Sequence, residues 1–424
     1  MTKSTTPDAA GSRSGARARI PGVDAARGLA LLGMMATHIV PLSAPDFAGT
    51  GAGGIPGAST DGSLEPTWAA VLFAGRASAL FAVLAGVGLA LLTGGAAGRR
   101  GPRLAATRRG VAVRALLIAV LGFGTGMLDT HIAVILVHYG LLFLLAIPFL
   151  GLSARALSAW AAGWLVLSPV LLFVLLPLVR AAVSPPDVGG SPVFADLLRP
   201  ATLAADLLVT GYYPVVVWTG FVLLGLAVGR LELNRPPVAL GLLVAGAAAA
   251  LGARAASAVL TASAAAQESL RGAAGIDAAG LRLGLATGQG LGGIEDSPWW
   301  FAVAAPHTGS PLDVLHVAGT AVAVLGACQL ACLALSALLG GVGEALLWPL
   351  TGAGAATLTL YSAHLVALDV FSGATAAMPR VELYAWYAVV ALLAGIAVKW
   401  AGTRGPLEAA VHAAARAAAG SGRS

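Results

Sequence analysis

Among the seven histidines of this 424-residue chain, His38 stands where an imidazole is hardest to keep. It lies near the end of the stretch Arg19 to Pro41, which opens on charge, with Asp24 and Arg27, and then turns apolar. At about 1.5 Å rise per residue, a helix carries His38 roughly 16 Å beyond Arg27, past the middle of a bilayer. At 100° per residue, Asp24, Arg27 and His38 fall within about 60° of one another, so one face carries an acid, a cation and a base. A second polar stripe runs through Thr357, Tyr361 and His364, spaced i, i+4, i+7 on one helix face. Imidazole titrates near neutral pH and suits general-base work, with Arg, Tyr or a freed backbone N–H as donors to developing negative charge. A hydrogen-bond strut between helices explains the second stripe equally well.

Other ionisable groups inside apolar runs are functional candidates because each is costly in lipid unless paired or hydrated. Arg76 cannot shed its charge and must face water, a carboxylate or an anionic ligand, or else snorkel outward. His138, beside Tyr139, is set two turns below His131 on an expected common face, while Asp129 and His131 read as an interfacial turn. Gly211-Tyr212-Tyr213-Pro214 and Pro306-His307-Thr308-Gly309-Ser310-Pro311 free backbone groups at the expected outer ends of spans, which suits the rim of a cavity. Cys328 and Cys332, one helical turn apart in an apolar run, read as buried thiols, and no metal-ligand spacing is present. Walker, dinucleotide, His-Glu-x-x-His and Gly-x-Ser-x-Gly signals are absent.

The elements that must position these groups follow from composition. The chain is 58% hydrophobic and 10% charged, against about a quarter charged in soluble domains, so it reads as an all-α, polytopic integral membrane helix bundle. Apolar segments at 26–43, 67–93, 111–130, 131–150, 156–180, 207–229, 237–263, 311–337, 347–371 and 383–402 predict about ten spans. Basic residues gather before the first span and between the second and third, whereas 44–66 has none, so both termini are expected to be cytoplasmic. That bias also accounts for the basic 99–109 loop, and nucleic acid is not an expected partner. The orientation puts His38, Arg76, His316 and His364 in the outer half. Residues 1–18 read as a disordered cytoplasmic tail, 19–402 as the membrane domain and 403–424 as a cytoplasmic C-terminal tail or surface helix. The loop 264–310 carries Asp296-Ser-Pro-Trp-Trp300, read as a short outer amphipathic helix with two interfacial aromatics.

The blocks Arg19-Ile-Pro-Gly-Val-Asp-Ala-Ala-Arg-Gly28, Gly75-Arg-Ala-Ser-Ala-Leu-Phe, Tyr139-Gly-Leu-Leu-Phe, Thr210-Gly-Tyr-Tyr-Pro, Pro306-His-Thr-Gly-Ser-Pro and Leu360-Tyr-Ser-Ala-His364 resemble the bacterial heparan-alpha-glucosaminide N-acetyltransferase-like membrane proteins. The resemblance implies acyl transfer across a cell membrane, with acetyl-CoA as donor substrate and an extracytoplasmic amine or hydroxyl as acceptor. Asp24, Arg27 and Gly28 match the opening motif of that family. His38 falls where the lysosomal relative has an active-site asparagine, and 44–66 lacks the histidine that the relative carries in the following loop. Under this reading His38 is the expected base, His364 the second and His307 stands at the acceptor mouth. Asp24, Arg27, Arg76, His138, Tyr212, Tyr213 and Tyr361 are the expected substrate-binding residues. The expected partners are the lipid bilayer, the acyl-CoA donor and the acceptor, with a homodimer left open. A proton-coupled transporter or exporter is the first alternative; the acyltransferase-3 group and a structural scaffold are the others.

Overall fold

The computed structural model describes residues 20–45 and 64–420, and within them the chain is almost wholly helical. The expected tail 1–18 and the centre of the 44–66 loop lie outside the described residues. Helix α1 (Pro21–Ile39) is followed by strands β1 (Ser43–Pro45) and β2 (Leu64–Pro66), then α2 (Trp68–Phe73), α3 (Arg76–Leu92), α4 (Gly101–Thr125), α5 (Leu136–Ala146) and α6 (Ala154–Ala182). Next come α7 (Pro200–Ala205), a wide helical turn at Asp206–Thr210, α8 (Val215–Val228), α9 (Pro236–Thr261), α10 (Ala264–Ala274) and α11 (Ala278–Thr287). The long α12 (Pro311–Leu339) leads to α13 (Gly341–Leu346), α14 (Trp348–Ala355), α15 (Thr357–Val370), α16 (Ser372–Thr375), α17 (Arg380–Trp400) and α18 (Pro406–Ala419).

Five helical stretches are long and apolar enough to cross a membrane: Trp68–Leu92, α6, α9, α12 and α17. Two bent pairs, Pro200–Thr210 with α8 at 55° and α14 with α15 at 84°, raise the number to seven. The chain is a multi-pass membrane protein on this ground, with five to seven candidate spans where the hydropathy runs predict about ten. The other three expected segments are also helical, but α1 carries Asp24, Arg27 and His38, α4 carries four arginines, and Leu136–Gly151 is short. Val166 on α6 and Val259 on α9 are about three-quarters exposed, at 74% and 75%, as suits side chains facing lipid.

Helix α1 is the axis of the bundle, buried along most of its length against α3, α12 and α14. Its crossing with α14 depends on glycine: a Cβ on Gly354 would meet the Asp24 carbonyl oxygen at 1.7 Å. Backbones can approach this closely only where side chains are absent, the usual route to helix association in lipid. Gly75, with φ +70, makes the elbow between α2 and α3 and places Arg76 at the first position of α3.

The two ends of the 44–66 loop meet: Ser43 pairs with Pro66 in a short antiparallel ladder. Two local expectations change. His131 and His138 do not share a helix face, because α5 begins only at Leu136 and His131 lies exposed at φ 53. The intervening backbone is satisfied elsewhere: Ser191 Oγ accepts from Val134 N–H and donates to the Ile132 carbonyl, while the Tyr213 hydroxyl donates to the Ala133 carbonyl. Trp300 is not an interfacial anchor. It is 2% exposed and stacks on Phe173, with ring centroids 5.8 Å apart, inside the turn Pro298–Ala302.

Candidate functional site

The histidine near the end of α1 meets the polar stripe of α15. His38 Nδ1 and His364 Nε2 are 2.9 Å apart, a hydrogen bond between two imidazoles whose rings lie nearly parallel at 11°. Tyr361, one turn before His364, sets its ring edge-on to both, with centroids 6.2 Å from His38 and 5.1 Å from His364. Its hydroxyl lies beside the backbone N–H of Ile135, in the non-helical stretch before α5. His364 Nδ1 is buried without a hydrogen-bond partner, and the carbonyls of Leu360 and Tyr361, four and three residues back on α15, lie near the ring. The face of α15 that sequence periodicity marks as polar is thus the face turned to His38.

A second cluster gathers four more of the expected residues. His307 packs on Tyr212 at a centroid distance of 4.3 Å and on Tyr213 at 5.8 Å, and Tyr213 in turn meets His138 edge-on at 5.5 Å. His307 takes φ +62, unusual for a residue with a Cβ, and its loop leans on the Gly75 elbow through Pro306. This loop histidine lies outside the helices, and burial lowers its pKa to about 4, so it is neutral at physiological pH. His138 is buried on α5 with both ring nitrogens unpartnered.

Arg76 lies between α2, α3 and α12. Its Nε donates to His316 Nε2 at 3.1 Å, its Nη1 faces the carbonyls of Ala70 and Ala74 at 3.4 Å each, and His316 Nδ1 lies 2.9 Å from the Ala250 carbonyl. Among the described residues Nη2 has no hydrogen-bond partner, so the guanidinium is anchored on one edge and open on the other. Asp313 supplies the nearby carboxylate, a residue that sequence reasoning did not single out. The sequence signal was present but ambiguous. Ser310-Pro-Leu-Asp313 is a helix-capping pattern, and Ser310 Oγ does accept from the Asp313 N–H at 3.2 Å. Asp313 Oδ2 accepts from Gly309 N–H at 3.1 Å, yet Oδ1 is buried and unpartnered. A cavity of about 20 Å³, room for one water, is lined by Asp313, His307, Gly75 and Trp218.

Asp24 and Arg27 do not join these clusters. They pair with each other at 3.1 Å, Arg27 Nη2 also reaches the Leu84 carbonyl at 3.4 Å, and Asp24 Oδ2 is buried and unpartnered. Fourteen residues separate Asp24 from His38, about 21 Å along the helix. Among the described residues no three His, Cys, Asp or Glu gather in an arrangement able to hold a metal ion.

Five to seven helical stretches apolar enough to cross a membrane define a multi-pass membrane protein, in which a histidine pair joins helices α1 and α15. The family model described as heparan-alpha-glucosaminide N-acetyltransferase, catalytic, matches residues 19–250, more than half of the chain, and the chain belongs to that family. The matched region takes in His38, Arg76, His138, Tyr212 and Tyr213; His307 and His364 lie beyond it. A search of curated proteins finds no match.

Proposed function

We propose that the protein is a transmembrane acyltransferase that moves an acetyl group from cytosolic acetyl-CoA to an amine or hydroxyl acceptor on the far side of a cell membrane. Membership of the acetyltransferase family supports the reaction class, and the 2.9 Å contact of His38 with His364 is the observation that carries the site assignment. The carbonyls near His364 Nδ1 favour a proton there; Nε2 then accepts from the His38 Nδ1–H, and the lone pair is left on His38 Nε2. In this tautomer His38 is the general base. It takes the proton of the acceptor N–H or O–H as the heteroatom bonds to the thioester carbonyl carbon. The C–S bond then breaks, and the CoA thiolate leaves and takes up that proton. The open edge of Arg76 is a donor for an oxyanion or another anionic portion of a substrate. His307, with Tyr212 and Tyr213, forms the acceptor mouth, and Asp24 with Arg27 lines the donor side of α1.

Purified protein in nanodiscs, given acetyl-CoA and a panel of amino sugars including glucosamine, is expected to release free CoA thiol in an acceptor-dependent way. His38→Ala is expected to lower that rate by about 100-fold or more, the scale of a lost general base. A folded His38→Ala protein that transfers acetyl at the wild-type rate removes the assignment.

A further inference from the structure

One face of α15 is turned away from the histidine pair. Thr359, Ser362, Ala363, Val366 and Val370 recur at helical spacing and line an open groove of about 520 Å³, with Phe371 at one end and Leu407 of α18 at the other. Thr359 to Val370 spans about 17 Å, close to the depth of one leaflet of a roughly 30 Å hydrocarbon core. Val366 and Val370 are 44% and 65% exposed. His364 lies about 160° around the helix from Ser362, so the groove is separate from the reaction site.

Charge stands at the Thr359 end. Glu408 of α18 accepts from the backbone N–H of Leu358 at 2.6 Å and of Thr359 at 3.2 Å, and from the Thr359 hydroxyl at 2.6 Å, which ties α18 to the start of α15. The other side of α18 docks on α4, where Arg109 Nε donates to the Ala418 carbonyl at 3.3 Å. This docking brings Arg114 of α4 beside Arg404 and Glu408, and His412 beside Arg404, Arg114 and Arg416. Arg27 also faces Arg114 but is paired with Asp24. Arg114, with Arg404 beside it, thus faces one carboxylate, Glu408, already committed to the N-terminus of α15, while Arg416 adds a further positive charge beside His412. Among the described residues none of the three has a hydrogen-bond partner. The local charge is positive and its donors are free.

We propose that the groove and its cationic end hold one anionic phospholipid, with an acyl chain along α15 and the phosphate diester against Arg114, Arg404 and Arg416. An apolar channel of leaflet depth ending on guanidiniums complements the two halves of such a lipid, since guanidinium pairs with phosphate oxygens in a fork. The proposal does not rest on the acyl-transfer reading.

The test reconstitutes the full chain in nanodiscs with equal phosphatidylglycerol and phosphatidylcholine and counts retained lipids by native mass spectrometry. Wild type is expected to retain phosphatidylglycerol at least fivefold over phosphatidylcholine. Arg404→Ala with Arg416→Ala, both exposed, is expected to bring the ratio near one. Val366→Trp, which fills the groove from an exposed position, is expected to lose the retained lipid with the arginines intact. Equal retention of both lipids by wild type overturns the proposal, as does a preference that survives both variants. So does displacement of the lipid by added CoA, which would assign the cationic end to a nucleotide, or a dimer mass that Val366→Trp splits, which would assign the groove to a second copy.

Discussion

His364 lies 326 positions from His38 in the chain and 2.9 Å from it in the fold. If His364 serves to hold the tautomer of His38, an amide that can accept the same hydrogen bond retains most of the effect. His364→Gln is therefore expected to keep acetyl transfer within about tenfold of wild type, whereas His38→Gln falls by about 100-fold, read as CoA release at saturating acetyl-CoA. His307 makes a separate prediction. Its pKa is lowered to about 4 by burial, against about 6.5 in an unfolded chain, so below pH 6.5 the unfolded state binds more protons. The stability held above pH 6.5, about 3 kcal/mol, is lost as pH falls toward 4. Thermal unfolding in detergent should show a steeper loss of Tm between pH 7 and 4.5 for wild type than for His307→Asn, whose side chain tolerates the positive φ. The sequence exposed these histidines because polar groups in apolar runs are conspicuous. It did not expose Asp313, because a carboxylate three residues after Ser310 at a helix start has a sufficient local explanation, and only the fold leaves its second oxygen without a partner.

Helix α15 presents its histidine only because the chain breaks by 84° after α14. The run 347–371 reads as one span, and neither Gly nor Pro stands at the break itself, Ala356. Two distant contacts impose it: Gly354 lies against the α1 backbone, and Glu408 caps the freed N–H groups of Leu358 and Thr359 from α18. Periodicity within the segment cannot report partners that lie elsewhere in the chain. Gly354→Ala forces a methyl group into the Asp24 carbonyl and is expected to cost about 1–3 kcal/mol or to prevent the α1–α14 crossing, measured as lowered Tm and yield of monodisperse protein. Glu408→Ala leaves half-buried donors without their partner and is expected to destabilise by about 1–2 kcal/mol. The break around Gly211 to Pro214 was more legible, because Gly and Pro mark such sites locally, whereas the elbow at Gly75 falls inside the run 67–93, which reads as one span.

At the scale of the whole molecule, each apolar run located by hydropathy is helical, and five to seven of the ten expected spans are long and apolar enough to cross a membrane. A polar helix such as α1 is sheltered by its neighbours, so a mean over its residues does not report what it faces. The distribution of arginine predicts an orientation: with Cys328 and Cys332 replaced by Ala, a membrane-impermeant thiol reagent is expected to label Ala278→Cys in intact cells and Ala97→Cys only after permeabilisation, and the reverse pattern inverts the topology. The proposed chemistry rests on the His38–His364 pair. The most direct measurement is single-turnover transfer of radiolabelled acetyl from acetyl-CoA to an amino-sugar acceptor by purified wild-type and His38→Ala proteins of matched Tm. Labelled acceptor is expected from wild type and about 100-fold less from the variant; equal label from both, or no label from wild type while the protein carries solutes across vesicles without consuming acetyl-CoA, contradicts acyl transfer by this histidine pair.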